Sequence, residues 1–263
     1  MNDNRSGDEG AAETASPQRN PRVEPHNVII LTGGLTGSSA LAGLLTAGGY
    51  WSGDDTFKKT DYNTYENADL IRLNRQLMKR VSIGEEYTQV FQPAAIGAIG
   101  ALAGVEPEDE YRAFLQACEQ RVPWLWKDPR LWLTIRFWHP MVDWSRVRVL
   151  LLRRDPMQAW ISTIQRRQIQ TFRYLAAYND SIQRSLVEFL ESNEIGFLST
   201  TYEDLVMTPE REIDRIAKYI GAPLTLDQFT STYSGPLYKR PKTWRDAIEA
   251  GLIYLKNFNE RIG

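Results

Sequence analysis

A chain of 263 residues with 42% hydrophobic and 11% aromatic content is long enough to bury a full core and falls in the size range of one domain. The formal charge of −2 at pH 7 is balanced, which argues against nucleic acid or an anionic membrane surface as a partner and makes any cationic site a local one. One cysteine excludes an internal disulfide, no run reaches the roughly 18 apolar residues of a membrane span, and the N-terminus has no signal-peptide core, so a cytoplasmic protein without a membrane span is expected.

Residues 1–25, polar and rich in Pro, Gly and Ser, predict a disordered leader ahead of one ordered unit over 26–263. "NVIILTG" predicts a short buried strand, and Leu41, Leu44 and Leu45 behind it have helical spacing. Cys118 lies in a helix-like run, where a buried thiol is expected rather than a nucleophile. "PWLWKD" at 123–128 predicts a second strand, with a helix from about Arg130 and tryptophans that belong to the core. "VRVLLLRRD" at 147–155 is a continuous apolar strand of the kind buried on both faces of a parallel sheet. A long helical stretch follows, with a break expected near Asn179. "IGFLSTTYEDL" predicts a further strand leading into a helix capped by Thr208, started by Pro209 and stopped by Gly221. Strands alternating with helices predict an α/β fold with a mainly parallel central sheet flanked by helices.

In that architecture the turn "TGGLTGSS" is an anion site in waiting, because a helix behind a tight glycine turn presents unpaired N–H groups and a positive dipole end. An ordinary glycine-rich turn with a serine cap is the alternative. A Walker A loop requires a Lys before the final hydroxyl residue, and Ser38 stands there, which disfavours a kinase of the P-loop class. Further along, Arg154 ends a strand and Ser162 follows eight residues later, beyond Pro156. A guanidinium and a hydroxyl converging on one phosphate are expected there.

Together with "TYEDL" around Tyr202, these motifs resemble the PAPS-dependent sulfotransferases (PAPS, 3′-phosphoadenosine 5′-phosphosulfate) over about residues 27–245. The resemblance implies a P-loop-NTPase-like sulfotransferase fold. It also implies sulfuryl transfer from PAPS to a hydroxyl or amine of a small-molecule, sugar or lipid-like acceptor, without a metal. Under it, Gly34, Thr36, Gly37, Ser38 and Ser39 would hold the 5′-phosphate end of the donor. Arg154 and Ser162 would hold the 3′-phosphate, Tyr202 would lie near the adenine, and Lys239 and Arg240 would close over the 3′-phosphate. "WKDPRL" resembles the family's KDP element, which places Lys127 beside the transferring group, and "DYNTYEN" resembles the segment that presents Glu66 as general base. His139 is the second choice for the base, against its reading as a packed histidine at a helix end. Asp128 and Arg130 read as an internal salt bridge that holds the Lys127 turn.

The chain departs from the family at Leu35, where a Lys or Arg is usual. Either another cation substitutes, with Lys127, Lys58 and Lys59 available, or the protein binds the nucleotide with lost or weak transfer.

Overall fold

The computed structural model describes residues 25–59, 62–83, 91–105, 108–233 and 241–262. The expected leader lies outside the described residues except for Pro25, as do Lys239 and Arg240.

Four parallel strands form the central sheet in the order β4-β1-β5-β6, with β1 Asn27–Leu31, β4 Leu125–Lys127, β5 Val147–Arg153 and β6 Phe197–Thr201. Ile30 lies opposite Lys127, Leu31 opposite Leu151 and Arg153 opposite Thr201, so the strand ends line up. β1 is flanked on both sides, by β4 and by β5. Its carboxyl end is therefore the switch point where an open parallel sheet binds ligands.

Alternation along β1 divides the core. Val28 and Ile30 pack against α1 (Ser38–Ala47), α9 (Pro209–Ile220) and α10 (Leu226–Thr232). Ile29 and Leu31 face α2 (Ala68–Arg80), α5 (Leu131–Trp138) and α7 (Phe172–Ser192), together with Trp124, Trp126, Trp132 and Trp138. Those tryptophans are core, as the sequence predicts. Cys118 sits in the same cluster, in α4 (Asp109–Glu119), where burial pushes its thiol up to about 12. A thiol held protonated at neutral pH is no nucleophile.

A two-stranded antiparallel ribbon, β2 (Thr56–Lys58) and β3 (Asn63–Asn67), lies between α1 and α2. It is too polar to be read from the sequence. The Asn67 side chain accepts from the amides of Asp69 and Leu70 and so starts α2 directly behind Glu66. α3 (Pro93–Ala101) packs on α5.

Two expectations are corrected. The helical stretch after β5 does not break near Asn179, which lies inside α7. It breaks after α6 (Pro156–Gln165), where Arg167 takes a left-handed φ of 58°. Trp160 Nε1 donates to the Gln170 carbonyl there, and Gln170 bridges to Ile262, so tertiary contacts stabilise the break. Thr208 precedes α9, but its hydroxyl donates back to the Asp204 carbonyl and caps no amide. The start at Pro209 and the stop at Gly221, with φ of 72°, are as expected. α8 (Tyr202–Met207) and α11 (Trp244–Lys256) complete the helices used below.

No described helix is long and apolar enough to cross a membrane.

Candidate functional site

The turn after β1 is held from below. The Thr32 and Thr36 hydroxyls share a 2.5 Å hydrogen bond, and Thr32 Oγ1 donates to the Leu152 carbonyl of β5 at 3.1 Å. Leu35 and Gly37 both adopt left-handed φ, 62° and 81°. A Cβ on Gly37 would stand 2.3 Å from the Tyr202 ring, so only glycine lets the loop close against β6 and α8. α1 begins at Ser38 with no side-chain cap, beside the cleft that Gly33, Leu35, Thr36, Gly37, Ser38 and Ser39 line.

On the β4 side, Lys127 is almost completely buried and its Nζ donates in three directions. It reaches Glu66 Oε1 at 2.5 Å, the Thr64 carbonyl at 3.1 Å and Ser39 Oγ at 3.4 Å. This ammonium therefore joins the loop to the ribbon. Asp128, fully buried, seats the turn beneath it. Asp128 accepts from the Arg130 amide and guanidinium at 3.0 and 2.9 Å and from Asn74 Nδ2 at 2.8 Å, while Asn74 Oδ1 accepts from Trp138 Nε1 at 2.9 Å. The salt bridge expected between Asp128 and Arg130 is present.

On the β5 and β6 side, Arg154 Nη1 donates to the Leu35 carbonyl at 3.0 Å and the guanidinium lies 4.8 Å from the centroid of the Tyr202 ring. Its carboxylate neighbour, Glu203, stands off at 3.9 Å. Tyr202 shares a 2.6 Å hydroxyl–hydroxyl bond with Tyr233. Two cations that the sequence did not single out join this end. Arg166, just past α6, lines the cleft, and Lys242 is held by Gln165 Oε1 at 2.5 Å. Burial lowers the Lys242 ammonium below the ordinary lysine value; the carboxylates of Asp246 and Glu249 offset part of this, and the positive charges of Arg154 and Arg166 add to it. Neither residue falls in a motif with a fixed spacing, so no local signal marks them.

Of the residues chosen from sequence, the cleft gathers Thr36, Gly37, Ser38, Ser39, Glu66, Lys127, Arg154 and Tyr202. Gly33 lines it and Gly34 does not. Ser162 is buried in α6 away from this lining. Lys59 lines the cleft and Lys58 does not. His139 lies beyond the far end of α5, half-buried between the Trp144 and Phe189 rings, and burial lowers its pKa. Among the described residues no group of three His, Cys, Asp or Glu side chains lies together to hold a metal.

No protein-family model matches the chain, and no curated protein matches it by sequence. Solved structures do. The sulfotransferase domain from the curacin biosynthetic pathway superposes with a TM-score of 0.51 at 14% identity, over 81% of this chain and 79% of that domain. The chain has a sulfotransferase-like fold. The sulfotransferase domain of the Synechococcus PCC 7002 olefin synthase aligns over 90% of this chain and 98% of its own, at 17% identity and a TM-score of 0.46. The sulfotransferase STF9 of Mycobacterium avium aligns over 90% and 76%, at 12% identity and a TM-score of 0.41. In this sulfotransferase-like fold the cleft occupies the end of the parallel sheet, with a buried ion pair at one wall and a cationic cluster at the other.

Proposed function

We propose that the chain is a PAPS-dependent sulfotransferase that moves a sulfuryl group to a hydroxyl or amine of a small acceptor. The observation that carries this is the Lys127 ammonium, 3.4 Å from the hydroxyl of loop residue Ser39 and 2.5 Å from the Glu66 carboxylate. It puts a cation against a loop whose own cation is replaced by Leu35.

The α1 amides, Ser38 and Ser39 hold the 5′-phosphate end of the donor, and Arg154, with Arg166 and Lys242, binds the 3′-phosphate. Arg-to-phosphate pairing is strong where several donors converge. Tyr202, stacked on Arg154, borders the adenine. Glu66 takes the proton from the acceptor hydroxyl as its oxygen bonds to sulfur. Lys127 neutralises the charge that grows on the 5′-phosphate as the sulfur–oxygen bond to it breaks. Proton transfer of this kind contributes roughly 10²–10⁴-fold and charge stabilisation by one placed donor about 10²–10³-fold.

A second reading has a specific observation behind it. Lys127 is already paired with Glu66, and Leu35 leaves the loop without its own cation. A protein so built binds the nucleotide and transfers poorly. Calorimetric titration with 3′,5′-ADP in the absence of metal, on wild type and on Arg154→Ala, tests both. Binding that weakens by about 10–100-fold in the variant, as loss of hydrogen bonds to a charged group predicts, supports the donor site. Turnover of PAPS with an acceptor panel then separates the two readings. Absence of 3′,5′-ADP binding, or binding of Mg·ATP in its place, overturns both.

A further inference from the structure

The outer face of α11 is apolar where a solvent-facing helix is expected to be polar. Its inner face packs Ala247, Ala250, Ile253 and Tyr254 against Trp160, Ile161 and Ile164 of α6, which accounts for one stripe. A second stripe points outward: Trp244, Ile248, Leu252 and Leu255 are between 53% and 69% exposed, and Phe258 behind them is 43% exposed. Trp244, Ile248, Gly251 and Leu255 follow one another within α11 at spacings of four, three and four residues, the repeat of a helix seam that packs on another helix. Gly251 sits at the middle of that seam with open space where a side chain would stand. A second backbone can therefore approach closely there.

We propose that this face is the contact between two copies of the chain, paired antiparallel about a two-fold axis near Gly251. The inference does not depend on the reaction proposed above. Charge selects the orientation. Along one flank of the seam stand Arg245, Glu249 and Lys256, followed by Glu260 in the turn just past α11, alternating in sign. An antiparallel copy, aligned so that Ile248 meets the second copy's Leu255, also sets Arg245 against its Glu260 and Glu249 against its Lys256. Each pair then joins opposite charges, and the symmetry makes every pair occur twice. A parallel copy would set like against like. The same flank, with as many acids as bases, is unlike the Lys- and Arg-rich face of a helix that lies on an anionic membrane.

Area sets the class of contact. Aromatic side chains carry about 150–250 Å² each, and two aromatic and three smaller aliphatic side chains, each roughly half exposed, offer on the order of 500 Å² per copy. Two copies bury about 1,000 Å², the lower bound for a specific contact. A contact of that size is reversible rather than obligate.

Sedimentation velocity on the whole chain across a micromolar concentration range tests this. Wild type shifts from monomer to dimer mass within that range. Leu255→Glu, which puts a carboxylate in the seam, weakens the association at least about tenfold, with an unchanged melting temperature because the side chain is exposed. Glu249→Lys weakens it, and Glu249→Lys combined with Lys256→Glu restores it, which a non-specific apolar contact would not do. Gly251→Cys forms a disulfide-linked dimer under mild oxidation, since Cys118 is buried and inert, and Lys218→Cys on α9 does not. A wild type that stays monomeric, a dimer indifferent to these changes, or co-sedimentation with phosphatidylserine vesicles in place of self-association overturns the proposal.

Discussion

The two walls of the cleft treat positive charge in opposite ways. At the β4 wall, Lys127 is almost fully buried and a carboxylate stands 2.5 Å from it. At the β5 and β6 wall, the carboxylate nearest Arg154 is 3.9 Å away, and the acids that act on Lys242, Asp246 and Glu249, are hydrogen-bonded to Gln165 rather than to the cations. A matched pair holds structure in place whether or not a ligand is bound. A loosely paired cluster keeps donors free for an anion, and that makes it a place to bind phosphate.

The largest expected effect breaks the matched wall. Lys127→Met leaves Glu66 and its charge in a nearly closed site, which costs about 3–5 kcal/mol in denaturant unfolding. Adding Glu66→Gln recovers most of it, and a single variant as stable as wild type would show that the pair is not matched at all. Gly37→Ala sharpens the comparison from between the walls. The new Cβ meets the Tyr202 ring at 2.3 Å on a left-handed backbone, so about 2–3 kcal/mol of stability is lost and 3′,5′-ADP affinity falls as Arg154 loses its stacking partner. Arg166→Ala, by contrast, removes an exposed cation from the loosely paired wall. It leaves the melting temperature within a degree or two and lowers 3′,5′-ADP affinity about threefold to tenfold at low salt, less as salt is raised.

The smallest effect is one of pH. Because folding lowers the Lys242 pKa, folding disfavours its charged form, and this contribution to stability improves as pH rises from the lowered value toward the ordinary 10.4 or so. Over the same window the free site loses its charge, so 3′,5′-ADP affinity declines and binding is accompanied by proton uptake. Calorimetry in buffers of different ionisation enthalpy measures that uptake, and Lys242→Arg flattens both trends.

The strands were legible because burial on both faces leaves a continuous apolar run, as in Val147–Arg153. The loop and its helix were legible because glycine and serine have few other uses in that order. What could not be read depends on partners far along the chain. Glu66 and Lys127 meet across 61 positions, and nothing local to either predicts the pair. The break after Gln165 rests on Trp160 and on the bridge to Ile262, while Asn179 only looks like a helix breaker. Arg166 and Lys242 carry no motif, and only the fold brings their charges near Arg154.

The turn that seats Lys127 rests on a cluster of indoles. Trp124 and Trp126 have ring centroids 4.8 Å apart, and Trp126 and Trp138 lie 4.9 Å apart and tilted by 64°. Chromophores held this close and this rigidly share their excitation, and give a strong, signed near-ultraviolet dichroism that vanishes once packing loosens. Since Trp138 also donates to Asn74, and Asn74 to Asp128, that signal is tied by hydrogen bonds to the turn beneath the ammonium. The molecule thus carries a built-in chiroptical label on the matched wall of its cleft, while Trp244, 69% exposed at the far helix, supplies a separate and quenchable emitter.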